Sequence, residues 1–300
     1  MPSTETSPAR PAGSFLYAVT GATGRLGQLV ITALLKTVPA AQIVALARTP
    51  AKAAELAAKG VVIREADYDR PETLAPALSG VEKLLLISGN QLGVRVPQHK
   101  AVIDAAKAAN VRLIAYTSVL RADASQLAVA DEHRQTQALL KASGVPFVLL
   151  RNGWYTENYT FSLPMVLKQG EILGSAGEGR ISSAARADYA EAAAAVLTAE
   201  EDQAGRIYEL AGDEAFTMQE LTAEISRQSG KIVTYRDLPE AEYKATLAGA
   251  GMPELVAASI ARSSAAASRG ALFDDSHQLS RLIGRPTTPL RDTIATALKA

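Results

Sequence analysis

The sequence predicts an α/β chain built on a doubly wound parallel sheet, followed by a smaller carboxyl-terminal lobe. Three observations predict it. From Phe15 to Arg151, short runs that are apolar throughout alternate with segments of helical spacing, as expected for parallel strands covered on both faces. The first run leads into a glycine-rich string that opens a helix-spaced segment. After Arg151 the alternation gives way to mostly helical stretches.

The elements follow in order. Phe15–Val19 is the first strand, and Leu26, Val30 and Leu34 form one stripe of the helix after it, with Leu29 and Ala33 beside them. Further strands are read at Ile43–Ala47, Val61–Ile63, Leu84–Ile87, Leu113–Tyr116 and Phe147–Leu150. Helices are read at Pro50–Lys59, Pro71–Leu78, Pro97–Ala109 and Asp131–Ser143. The leading prolines of the first three suit a first turn that lacks N–H partners, and Gly60, Gly80 and Gly144 suit helix ends. Asp188–Leu197, an Ala-rich packing helix, and the strand Ile207–Leu210 return to the sheet. The remainder, with one short strand at Lys231–Tyr235, forms the lobe over the strands' carboxyl ends. Ala257–Gly270 has weak periodicity and reads as a mobile segment near a cleft. The expected division is a disordered leader over 1–14, a first domain over 15–155, and a lobe over 156–300 with 181–212 returning to the first domain.

Composition narrows the function. Lys plus Arg and Asp plus Glu both number 31 in 300 residues, with no basic run, which argues against nucleic acid as a partner. The absence of Cys excludes disulfides and thiolate chemistry, and the three His, at 99, 133 and 277, show no metal-binding spacing. No metal is expected. No apolar stretch is long enough to span a membrane, and the leader, without an apolar centre, is no signal peptide. The cytoplasm is the expected location.

The glycine string reads Thr20-Gly21-Ala22-Thr23-Gly24-Arg25-Leu26-Gly27. Between a strand and a helix, this is the context of a dinucleotide-phosphate loop. Gly21 allows the tight turn, Gly24 lets a pyrophosphate approach, and Gly27 lets the helix pack closely. The helix amino terminus supplies free N–H groups and a positive dipole end. Where NAD sites carry an acidic residue at the end of the second strand, this chain has Arg48. Arg48 suits a 2′-phosphate and therefore NADPH; Lys52 and Arg25 are further candidates, and surface cations are the alternative. Asp67 and Tyr68 follow the third strand, positioned for adenine or for a turn before Pro71. Ser88-Gly89-Asn90 follow the fourth strand and are expected on the adenosine-ribose and diphosphate side; Ser118 follows the fifth, toward the nicotinamide ribose.

The chemistry is marked by what is missing. Carbonyl reductases commonly carry Tyr-x-x-x-Lys, a phenol made acidic by an ammonium group. Here position +4 is Leu120 after Tyr116, Tyr159 after Tyr155 and Leu247 after Tyr243, and no Tyr has Lys there. His133 stands about where that Tyr would, and Gln137 where the Lys would. His133 is a candidate proton donor or a structural residue. Past the sixth strand, Arg151-Asn152-Gly153-Trp154-Tyr155-Thr156-Glu157-Asn158-Tyr159 combines amides, glycine and flat aromatics. Such a loop suits a nicotinamide ring with a planar acceptor on it. Asn152 and Tyr155 are expected at the ligand, Gly153 beside the cofactor, and Trp154 either there or in the core between lobes.

The strings Thr20–Gly27, Lys83–Ser88, Ala115–Ser118, Arg151–Tyr159, Arg186–Tyr189 and Leu272–Ser276 resemble the bacterial type 2 NAD(P)H:quinone oxidoreductases, of the NmrA-like atypical short-chain dehydrogenases. They are similar, less closely, to the triphenylmethane dye reductases. The resemblance, from about Phe15 to Leu298, implies a Rossmann domain with a small lobe, bound NADPH, and hydride transfer to quinones or related planar acceptors, as monomer or homodimer. Such acceptors need little acid help, which agrees with the missing dyad. The loop Gly89–Arg95 and the stretch Ala245–Ala261 depart from the pattern and bear on which acceptor is used. The alternative is an NADP(H)-sensing regulator of a protein partner without turnover.

Overall fold

The computed structural model describes residues 15–299; the leader expected over 1–14 lies outside them. In chain order the elements are β1 (Leu16–Val19), α1 (Arg25–Leu34), β2 (Ile43–Ala47), α2 (Ala54–Ala58), β3 (Val62–Glu65), α3 (Leu74–Ala77), β4 (Val81–Leu86), α4 (Arg95–Ala108), β5 (Leu113–Val119), α5 (Ala130–Ser143) and β6 (Phe147–Asn152). There follow α6 (Glu157–Thr160), α7 (Leu163–Gln169), β7 (Glu171–Gly174), α8 (Arg186–Thr198), β8 (Ile207–Leu210), α9 (Met218–Ser229), β9 (Thr234–Asp237), α10 (Glu240–Gly249), α11 (Glu254–Ala267), α12 (Gln278–Ile283) and α13 (Leu290–Ala297).

Seven parallel strands form one sheet in the order β3-β2-β1-β4-β5-β6-β8. Successive strand residues point to opposite faces, so the apolar runs feed two cores. Val19, Ala45, Leu85, Ala115 and Val148 pack beneath α1 and α8. Ala18, Val44, Leu84, Ile114 and Leu149 pack beneath α3, α4 and α5. The alanines of α8 are buried against α1, which makes this helix the packing element its composition suggested.

The third core belongs to the small lobe and joins Leu163, Val166, Phe216, Leu221, Ile225 and Val233. Its two-stranded parallel sheet pairs β7 with β9, and β7 has no counterpart in the sequence reading. Two further expectations are corrected. The stretch read as a mobile segment is the helix α11, which sets Ala257, Ala261, Ala265 and Ala266 inward. Its periodicity is faint because the buried face is made of alanine. Helix α12, assigned to the lobe, lays Leu279, Leu282 and Ile283 on the first core. The chain then re-enters the lobe through a pinned crossing. The fully buried Asp188 carboxylate accepts from Arg285 Nη2 at 2.7 Å and from Thr288 N and Oγ1 at 2.8 and 2.9 Å. Asp213 accepts from Thr287 N at 2.8 Å and Ser280 Oγ at 2.7 Å. Among the described residues no helix is long and apolar enough to cross a membrane.

Gly27 sets the depth at which α1 enters. A Cβ there would stand on the Gly21 carbonyl oxygen and 2.8 Å from Ala22 Cα, both backbone atoms that cannot yield. Gly27→Ala should therefore cost about 1–3 kcal/mol, the range for overpacking. Urea unfolding checks this; an unchanged midpoint would show that the turn is free to move.

Candidate active site

The chain leaves β1 and β4, which are neighbours, toward opposite edges of the sheet. A crevice opens at the carboxyl ends of such a pair. Here it is a cleft of about 770 Å³. Its walls are the glycine turn after β1, Arg48 after β2, Asp67–Asp69 after β3 and Ser88–Gln91 after β4, with Tyr155, Asn158 and Arg186 at the far end.

Side-chain hydroxyls hold the strand ends where the ladder stops. Thr20 donates its N–H to Leu85 O at 3.0 Å, and its Oγ1 accepts from Ile87 N at 2.9 Å. Thr117 Oγ1 accepts from Ser88 N at 2.8 Å. Gly21 turns at φ +57°, a left-handed conformation that favours glycine. No side chain caps α1, and its first turn holds no acid, so its first N–H groups are available to an anion. Arg25 and Arg48 are exposed at the rim and pair with no carboxylate among the described residues.

Of the expected cofactor residues, Gly21, Thr23, Gly24, Arg25, Leu26, Gly27, Arg48, Asp67, Tyr68, Ser88 and Gly89 line the cleft. Asp67 also makes the turn that was its alternative, for its Oδ1 accepts from Asp69 N at 3.1 Å. Burial pushes the Tyr68 phenol up to about 12, so it is a neutral wall group. Six other expected residues do not line the cleft. Ala22 is buried, its N–H spent on Leu46 O. Lys52 lies exposed beyond the cleft. Ser118 is buried and accepts from Gln137 Nε2 at 2.7 Å. Gly153 faces inward, where a Cβ would come within 3.0 Å of Leu210 O. Asn152 is buried behind Tyr155 and donates to its hydroxyl at 3.4 Å.

The sixth is His133, the candidate acid. It is buried, its Nδ1 lies 2.7 Å from the Tyr116 hydroxyl, and burial and the charge of Arg95 pull its pKa down to about 3. The helix that carries it turns this position toward the core beneath β5, so it is corrected to a core residue without access to a ligand. Trp154 packs against the small-lobe core, the second of its two expected places. The far end of the cleft is formed by Tyr155 and Arg186. The Arg186 guanidinium stands 4.9 Å from the Tyr155 ring centre, and Tyr189 meets that ring edge-on at 5.2 Å. Burial raises the Tyr155 pKa, which keeps it a neutral phenol. Arg186, Arg95 and Gln98 also line the cleft and were not singled out as site residues. Arg186 and Arg95 open α8 and α4 and Gln98 lies in the first turn of α4, and only the assembled sheet brings the two helix starts together.

These residues fit a phosphorylated dinucleotide. The uncapped helix start and the Gly21–Gly24 turn suit a pyrophosphate, and Arg25 and Arg48, without carboxylate partners among the described residues, line the same cleft. Asn152 Oδ1 is buried without a hydrogen-bond partner, a lone acceptor close to the Tyr155 end.

The NmrA-like family model matches residues 16–291. Quinone oxidoreductase 2 of Escherichia coli is 55% identical over 93% of this chain and 98% of its own length. The crystal structure of the E. coli NADPH-dependent quinone oxidoreductase in complex with NADPH superposes with a TM-score of 0.92 at 54% identity, covering 94% of this chain and all of that one. The triphenylmethane reductase of Citrobacter sp., solved with NADP(H), gives a TM-score of 0.89 at 40% identity over 94% of this chain and 99% of that one.

His99, like His133, is pulled from 6.5 down to about 3, by burial first and then by Arg95. The folded protein keeps both rings neutral while the unfolded chain takes up protons near pH 6.5. Stability should be whole above that value and fall as pH drops from 6.5 toward 3, by roughly 1.4 kcal/mol per pH unit per histidine. The stability that Glu224 gains from Arg227, which holds its pKa at about 2, is whole above 4.5 and is lost only as pH falls below that value. Urea unfolding between about pH 8 and 5 checks the sign; a flat profile would show that the rings titrate in the fold.

Proposed function

The chain belongs to the NmrA-like family, and from that premise we propose that it is an NADPH-dependent reductase that passes hydride to quinones or related conjugated planar acceptors. One observation carries the reading. A single cleft holds the glycine turn with two arginines unpaired among the described residues at one end and the Tyr155 ring beside the Arg186 guanidinium at the other. The similarity to a quinone oxidoreductase over nearly the whole chain supports it.

NADPH, when bound, supplies the hydride. The chain's own residues do the rest. The first turn of α1 and the Gly21–Gly24 backbone hold the pyrophosphate, and Arg48, helped by Arg25, holds the 2′-phosphate. Asp67 and Tyr68 border the adenine, and Ser88 and Gly89 the ribose. Tyr155 gives the acceptor a flat neutral surface, while Asn152 and Tyr189 steady it from behind. Holding the two reacting rings in register supplies most of the rate. With His133 buried and neutral, the proton that completes a hydroquinone comes from solvent. The protein works in the cytoplasm on small planar molecules, as monomer or homodimer, without nucleic acid.

Loss of nicotinamide absorbance on adding benzoquinone, against the protein-free rate, tests the activity. Tight NADPH binding without turnover would point instead to an NADP(H)-sensing regulator. Arg48→Ala should weaken NADPH binding by about 1.5–3 kcal/mol, the range for a charged hydrogen bond, and leave NADH unchanged. Equal losses for both would exclude the 2′-phosphate contact. Tyr155→Ala should lower kcat/KM for benzoquinone about tenfold, or about 1.4 kcal/mol. Steady-state rates at saturating NADPH measure this, and an unchanged value removes Tyr155 from the acceptor site.

A further inference from the structure

We propose that His99 is a positioning residue for the dinucleotide: acting through the backbone of Gly89, and as one fixed tautomer, it sets the wall of the cleft that follows β4. The proposal rests on the reading of this cleft as the NADPH site.

Side chains of α4 hold both backbone groups of Gly89. Its N–H donates to His99 Nε2 at 2.9 Å, and its carbonyl accepts from Arg95 Nε at 2.7 Å. A backbone N–H can only donate, so Nε2 is bare. The neutral ring then carries its proton on Nδ1, which lies 3.0 Å from Thr136 Oγ1. That hydroxyl donates onward to Glu132 O at 2.9 Å. Every bond in the chain from Gly89 to α5 thus has one direction.

The surroundings fix the rest of the wall. Arg95 is buried, and its Nη1 meets Glu132 Oε2 at 2.6 Å, while Glu132 Oε1 accepts from Gly93 N at 2.9 Å. Gln98 Nε2 donates to Asp69 Oδ1 at 2.9 Å and to Gln91 Oε1 at 3.1 Å, which joins the wall after β4 to the wall after β3. Ser88–Gln91 carry no helix or strand of their own, and glycine is the residue with most freedom to lose. A wall ordered in advance spares the ligand that cost. His99 is buried and does not line the cleft, so its effect falls on binding and not on the hydride step.

The test compares two variants of the full-length protein. His99→Phe keeps a ring edge-on to Tyr116 but removes the acceptor, whereas His99→Gln keeps an acceptor within reach of the Gly89 N–H. NADPH titration by nicotinamide fluorescence should give a Kd raised about tenfold or more in His99→Phe and mostly restored in His99→Gln. At saturating NADPH, kcat with benzoquinone should stay within about twofold in both. Wild-type NADPH affinity in folded His99→Phe, equal losses in both variants, or a fall in kcat with binding intact would overturn the proposal. Should His99→Phe fail to fold, ring nitrogen NMR of the wild type decides: a bare Nε2 and a protonated Nδ1 support it, and a proton on Nε2 sinks it. A wild-type protein that does not bind NADPH would overturn the cofactor reading itself; unaffected variants of a protein that does bind would overturn only the role of His99.

Discussion

Where two neighbouring parallel strands send their chains in opposite directions, the ladder between them stops, and the amides beyond its last rung need other partners. In this protein three consecutive N–H groups meet that requirement in three directions. Ile87 turns to Thr20 on the β1 side, Ser88 to Thr117 on the β5 side, and Gly89 to His99 beneath them. The crevice is the space that this fanning leaves open. Everything that lines it, from the glycine turn to Tyr155, is placed relative to that parting of β1 from β4.

The distribution of charge around the crevice follows a similar economy. Carboxylates near its cations are committed to other groups, save Glu132, which pairs with Arg95 of the cleft wall. Glu157 takes the Arg186 backbone N–H with both oxygens, at 2.9 and 3.0 Å, and so caps the start of α8. Asp67 meets Arg70 at 3.4 Å and Glu132 meets Arg95. Arg25, Arg48 and Arg186 remain without carboxylate partners among the described residues, distributed along one cleft. A dinucleotide with its phosphates at one end, and a separate electron-poor acceptor beside its other end, match that distribution.

Much of the nucleotide half was legible in the sequence because its determinants are local. A strand, a glycine turn and a helix are contiguous, and Arg48 sits at the end of an unbroken apolar run that is β2 itself, Ile43–Ala47. The other half depends on distant parts of the chain meeting. Arg186 reaches Tyr155 from 31 positions away in sequence, at the first residue of a helix whose composition speaks only of packing. Of the two readings of His133, donor or structural residue, burial favours the second for a related reason. Its position on α5 matches that of a catalytic residue elsewhere, but the rotation of the helix turns it to the Tyr116 hydroxyl. The strand β7 escaped notice because four residues, Glu171–Gly174, carry too little pattern to separate them from a loop, and only its pairing with β9 makes them a strand.

The pinned crossing at Arg285–Thr288 gives the carboxyl-terminal segment a hold on the nucleotide domain. Asp188 is a fully buried carboxylate on a helix of the first core, and its partners Arg285 and Thr288 arrive only near the end of the chain. Without them a buried polar group of α8 would lie without its hydrogen-bond partners, a penalty of roughly 1–3 kcal/mol. A nascent chain that has made all seven strands of the large sheet therefore still lacks those partners. The helix that backs the large sheet and the tail of the chain are thus tied through one carboxylate, and a chain cut short before this segment would leave Asp188 without these partners although every residue lining the cleft is present.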